Sequence, residues 1–87
     1  MVTPAQLRAA RALIGLSQAE LARRAGVSIP TIKRSESGNE RAPVVSIETQ
    51  DKIRAVFAAE GVEFTNGNHL GVRMRRKVEQ HATGSAK

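Results

Sequence analysis

Residues 16–38, LSQAELARRAGVSIPTIKRSESG, decide the fold of this chain, because two capped helix starts and a glycine stop follow one another within them. The hydroxyl of Ser17 is placed to accept from the amide of Glu20, and Glu20 to reach back to the amide of Ser17, a capping box that marks a helix start. Leu16 before the cap and Leu21 inside the helix make an apolar staple that sets the entry angle of the chain. Gly26 supplies a left-handed stop. The pattern then repeats: Ser28 is a second N-cap, Val27 and Ile32 a second staple, and Pro30 sits in the first turn, where a missing N–H costs nothing. Gly38 is the expected end of this second helix.

On the N-terminal side, Thr3 reads as an N-cap, Pro4 as the first helical residue, Gln6 as the closing member of a box and Gly15 as the stop of a helix over Thr3–Ile14. Val2 and Leu7 form a third staple. Leu7, Ala10, Leu13 and Ile14 recur at helical spacing and are expected to face Leu21, Ala22, Ala25 and Ile32, with Arg8 and Arg11 outward. On the C-terminal side, the polar loop NERAP (39–43) leads to a helix over Ser46–Glu60 with Ile53, Val56 and Phe57 on one stripe, stopped by Gly61.

From Val62 the period becomes alternating. Val62 and Phe64 share one face against Glu63 and Thr65, and Val72 and Met74 share one against Arg73 and Arg75, with the turn dipeptide Asn66-Gly67 between them. Two strands are expected, paired with each other or with those of a second subunit, and since an isolated hairpin is marginal in water they must dock either on their own helices or on a twin. Residues 62–76 are therefore read as a β element that serves dimerisation. Residues 77–87, ending HATGSAK, read as a disordered tail.

Composition narrows the partners. At 87 residues the chain allows one small domain with a thin core. Cysteine is absent, so disulfides and thiolate metal sites are excluded, and a reducing cytoplasm is suited. No apolar run approaches the roughly 18 residues of a membrane span, and the start MVTPAQ lacks the plan of a signal peptide, so a cytoplasmic protein is expected. Fourteen Lys and Arg against eight Asp and Glu give a formal net charge of +6, which favours a polyanion. Single-stranded and RNA readers stack bases on aromatic rings, and this chain offers only Phe57 and Phe64. His69, His81 and Asp51 are too scattered for a metal site or a catalytic triad, so no enzyme activity, cofactor or small-molecule ligand is expected.

Two short capped helices joined by a glycine-containing turn match the helix-turn-helix, whose second helix enters the major groove of DNA. From Leu16 through Pro43, about a third of the chain, the residues resemble the Cro and phage-repressor (XRE-like) family. The resemblance rests on Ser17-Gln18, the small Ala22 where the helices cross, Gly26, and Thr31-Ile32 with Arg34, Glu36 and Gly38. It implies a mainly α fold, a small helical bundle of about four helices of the lambda-repressor-like type, to which residues 62–76 add the two-stranded β element. Residues 1–61 would be the DNA-binding domain. Ser35 departs from the family, where a larger apolar residue is common, so lighter packing behind the second helix is expected. Ile29-Pro30 departs too, lacking the side-chain donors some relatives use to read bases.

Roles on the DNA follow from helix geometry. Gln18, at the start of its helix, adds a side-chain donor to free amides that suit a phosphate, matching the family's phosphate clamp. With Ile32 turned inward, Ser28, Ile29, Thr31, Lys33 and Arg34 are available to the groove. The planar fork of Arg34 suits guanine O6 and N7, with a phosphate as its main rival. Ile29 and Pro30 would sense thymine methyls, and Thr31 suits either kind of contact. Lys33 is expected on the backbone, and the resemblance implies the same for Asn39 and Arg41, whose loop runs along the backbone in the family. Glu36 is expected to be structural in the resemblance. The function expected is that of a regulator of transcription on double-stranded DNA, a repressor acting as a homodimer on an inverted repeat in a prokaryotic or phage setting. The alternatives are an antitoxin that also grips a toxin, and an adaptor that uses the basic fold on another protein.

Overall fold

Four serine or threonine hydroxyls open the four described helices. In the computed structural model, which describes residues 2–39 and 45–75, the chain runs α1 (Pro4–Ile14), α2 (Gln18–Ala25), α3 (Ile29–Ser35), α4 (Ile47–Ala59), β1 (Val62–Thr65) and β2 (Gly71–Met74). Thr3, Ser17, Ser28 and Ser46 each accept from the amide three residues on. Such a cap satisfies one of the amides a helix start leaves without an internal partner, at about 1 kcal/mol apiece. Gly26, at φ 73°, ends α2 in the left-handed region that side chains disfavour.

Two local expectations fail, one to neighbours on the same helix and one to contacts between helices. Around Thr3 the capping box is complete, with the Thr3 amide donating to Gln6 Oε1 at 2.8 Å. At Ser17 only half of it forms, because the Glu20 carboxylate turns instead to Arg23 and Arg24. Likewise α3 stops at Ser35, three residues short of Gly38. Glu36 closes it in an ordinary right-handed conformation, φ −94°, with its side chain drawn under the helix toward α1 and α2.

The core is Leu7, Ala10, Leu21, Ala22, Ala25, Ile32, Ile53, Phe57 and Val62, all buried. Ala22 and Ala25 let the neighbouring helices approach α2. Phe57, Leu21, Ile32 and Ile53 are the largest fully buried side chains, and each contributes about 1.5–3 kcal/mol by leaving water. Leu13 does not join them and is 46% exposed. At about 100° per residue it lies about 120° round α1 from Leu7, whereas Ala10 and Ile14 lie within about 60°. Ser35 lines an apolar cavity of about 190 Å³ with Val2, Leu7, Val45 and Ile53.

The strands pair with each other, antiparallel, in the register Val62 with Met74 and Phe64 with Val72. Their shared apolar face lies on the chain's own helices, β1 against α4 and β2 against α1. Phe64 meets Phe57 edge to face, with ring centroids 5.8 Å apart and planes at 84°. Val62 is buried, and Phe64 and Val72 are half-buried against the core. Buried Gln6 completes the junction by donating from Nε2 to the carbonyls of Thr65 at 2.8 Å and Gly71 at 3.0 Å. The β element is thus a wall of the core as well as a candidate contact for a second subunit. The expected tail, 77–87, lies outside the described residues. Among the described residues no helix is long and apolar enough to cross a membrane.

Candidate nucleic-acid interface

The start of α2 and the exposed side of α3 form the surface in question. Ile32 is fully buried and anchors α3 to the core. That orientation leaves Ser28, Ile29, Pro30, Lys33 and Arg34 exposed and Thr31 half-buried. A chain of hydroxyls ties three of these together. Ser28 Oγ accepts from the Thr31 amide at 3.2 Å and lies 2.9 Å from Thr31 Oγ1, which in turn accepts from Arg34 Nη2 at 3.1 Å. The Ser28 hydroxyl is engaged in capping, while one nitrogen of the Arg34 fork is steadied on an otherwise exposed residue. Ile29, 41% exposed, presents apolar surface at the helix start.

Gln18 stands at the first position of α2, half-buried, and donates from Nε2 to Glu36 Oε1 at 3.1 Å. Asn39 follows α3 and donates its amide to Ser37 Oγ at 3.0 Å. The structure therefore gathers Gln18, Ser28, Ile29, Pro30, Thr31, Lys33 and Arg34 on adjoining turns of two helices, with Asn39 on the segment just beyond. Arg41 lies outside the described residues.

Arg11 contradicts its outward expectation. At about 100° per residue it lies only about 40° from Leu7 on α1, near enough to the buried stripe to turn under α3. Its Nε and Nη2 reach the two oxygens of Glu36 at 2.7 and 3.0 Å, and its Nη1 reaches the Leu16 carbonyl at 3.0 Å. These hydrogen bonds to Glu36 raise the Arg11 pKa above its ordinary value, outweighing partial burial. Arg8 also departs from a purely outward role, donating to the Glu36 carbonyl. Glu36 is structural, as expected, and joins α1, α2 and α3. The part of Arg11 was missed because nothing within a turn of it announces an acid 25 residues away; its angular closeness to Leu7 was the available signal.

Basic residues close both helices. Lys33 and Arg34 lie in the last turn of α3, and Arg23 and Arg24 in that of α2. Arg23 and then Arg24 hold the Glu20 carboxyl below the usual carboxylate range by hydrogen bonding to it, and Arg24 also binds Glu60 of the α4 cap at 2.9 Å. Two packed helices, a left-handed glycine after the first and a second helix with one buried and one exposed, basic side are what groove insertion requires. Residues 7–46 match the family model described as Helix-turn-helix. The chain carries a helix-turn-helix of the Cro and phage-repressor (XRE-like) type. The helix-turn-helix makes this protein a DNA-binding regulator of transcription. None of the curated proteins matches the chain.

Proposed function

We propose that the protein is a sequence-specific repressor without catalytic chemistry, acting in the cytoplasm as a homodimer on an inverted repeat. The observation that carries this reading is the division of α3, with Ile32 at 0% exposure on one side and Ile29, Pro30, Lys33 and Arg34 exposed on the other. A helix so anchored offers base-reading groups in fixed register. Arg34 reads guanine, Ile29 and Pro30 meet thymine methyls, and Gln18 with the α2 amides holds a phosphate. Lys33 and Asn39 add backbone contacts, as does Arg41. Leu70 just before β2 and Met74 at its end, 61% and 47% exposed, extend the hairpin's apolar face toward a second copy. Two recognition helices would then lie about one DNA turn apart, roughly 34–36 Å.

Selection of bound duplexes from a random pool tests the reading. Affinity for the selected site should fall by orders of magnitude between low and moderate salt if about 4–8 phosphates are neutralised per dimer. Arg34→Ala should cost about 1–3 kcal/mol and relax preference at one position of each half-site. Equal affinity for random and selected duplexes removes sequence specificity, and an unchanged selected sequence with Arg34→Ala reassigns Arg34 to a phosphate.

A further inference from the structure

Glu36 is only 5% exposed, yet it touches the residue assigned to the DNA backbone. Its carboxylate receives three hydrogen bonds from two other elements, two from Arg11 on α1 and one from Gln18 on α2. We propose that Glu36 is a positioning residue for DNA binding, acting through Gln18, with Arg11 as the counter-charge that makes a buried carboxylate tolerable beside a phosphate. The inference rests on Gln18 being a phosphate ligand.

The chemistry of the amide carries it. A carboxylate only accepts, so the nitrogen end of the Gln18 amide must face Glu36; the flipped amide would set oxygen against oxygen. The same nitrogen has a second N–H, which the bond to Glu36 leaves for another acceptor. Gln18 is therefore committed, before DNA arrives, to presenting a donor rather than an acceptor. A glutamine on an open helix surface would lose its rotamer freedom only on binding; here that loss falls on folding.

Electrostatics assigns the part of Arg11. A phosphate that accepts from Gln18 comes within two hydrogen bonds of the Glu36 charge, which alone would repel it. The paired, parallel bonds from Arg11 Nε and Nη2 neutralise that charge in place. Arg11 thus contributes to DNA affinity without reaching DNA.

A double-mutant cycle on the selected duplex tests the proposal, with Gln18→Ala, Glu36→Gln and the double variant measured by anisotropy alongside their thermal unfolding. Gln18→Ala should weaken binding about tenfold on every sequence, the scale of one hydrogen bond to a charged group. Glu36→Gln should weaken it comparably, and the double variant should bind no worse than the weaker single one. Additive effects would show that Glu36 only braces the fold, and overturn the proposal. If Gln18→Ala binds like the parent protein, the backbone role of Gln18 fails first and the proposal with it. A measurement on the unaltered protein guards against variants that do not fold. Nitrogen relaxation of the Gln18 side-chain amide, without DNA, should show order close to that of the backbone. A freely reorienting amide overturns the proposal.

Discussion

The helix-turn-helix and the hairpin hold their shapes by opposite means. Between Ser17 and Ser35, the helices are set by short-range devices, hydroxyl caps, a left-handed glycine and a staple, each spanning a few residues, before Glu36 ties them to one another and to α1. Between Val62 and Met74, each strand is only four residues long, and the pair is fastened from outside by Phe57, by the core and by the buried amide of Gln6. The difference teaches that the DNA-facing unit carries its local form with it, whereas the β element takes its place from the bundle and covers the core of the bundle in return.

The sharpest way to break this comparison is to remove the hairpin. Truncation after Gly61 exposes Phe57 and takes away Val62, Phe64 and Val72, each worth up to about 1.5–3 kcal/mol of burial. A domain this small has few kcal/mol in reserve, so the shortened protein should lose cooperative thermal unfolding by circular dichroism. A truncated chain that melts cooperatively near the parent temperature would make the hairpin an appendage.

Single residues sharpen the contrast. Gln6→Ala should cost about 2–3 kcal/mol in denaturant unfolding, because it strips one partner from three hydrogen bonds, including one to the Thr3 amide. Ser28→Ala, which removes a local cap, should cost about 1 kcal/mol. Equal costs would mean that the long-range clasp is no stronger than a cap. Ser35→Val should act in the other direction and raise stability by about 0.5–1 kcal/mol, since it fills part of the cavity. Among the described residues, the hydroxyl it sacrifices bonds back to the Thr31 carbonyl, a contact that does little for a helix. A fall in stability would show that this space is not available to a larger side chain.

Acid should have the smallest effect. Arg73, above all by its hydrogen bond, lowers the Glu63 pKa, and Arg23 and Arg24 do the same to Glu20. A carboxyl whose pKa is lower folded than unfolded contributes stability above its unfolded value and loses it as pH falls through the folded one. Melting temperature should therefore decline from neutral pH into the carboxylate range, and Glu63→Gln should flatten part of that decline. Both pairs are partly exposed, so the change is modest. Identical pH profiles for the two proteins would show that the strands gain nothing from this pair.

Much of the candidate site was legible in residues 16–38. The Ser28 cap, the buried Ile32 and the exposed Arg34 all follow from helical period and capping, which act within about one turn. The Cro-type resemblance supplied the groove and the phosphate, which no spacing states. What stayed hidden was the company Gln18 keeps. Its acceptor, Glu36, lies 18 residues on, and the pairing depends on α3 packing back onto α2.

By itself the sequence determined where the helices begin, where α2 ends, the alternation of the strands and the basic balance of the whole. Only the tertiary structure decided that α3 ends at Ser35, that Arg11 turns to Glu36, and that the hairpin closes on its own chain. Caps and periods are settled by neighbours a few residues apart. Arg11 and Glu36 are separated by 25 residues and Gln6 and Thr65 by 59, and contacts of that span exist only once the elements have packed and excluded water from the groups they join.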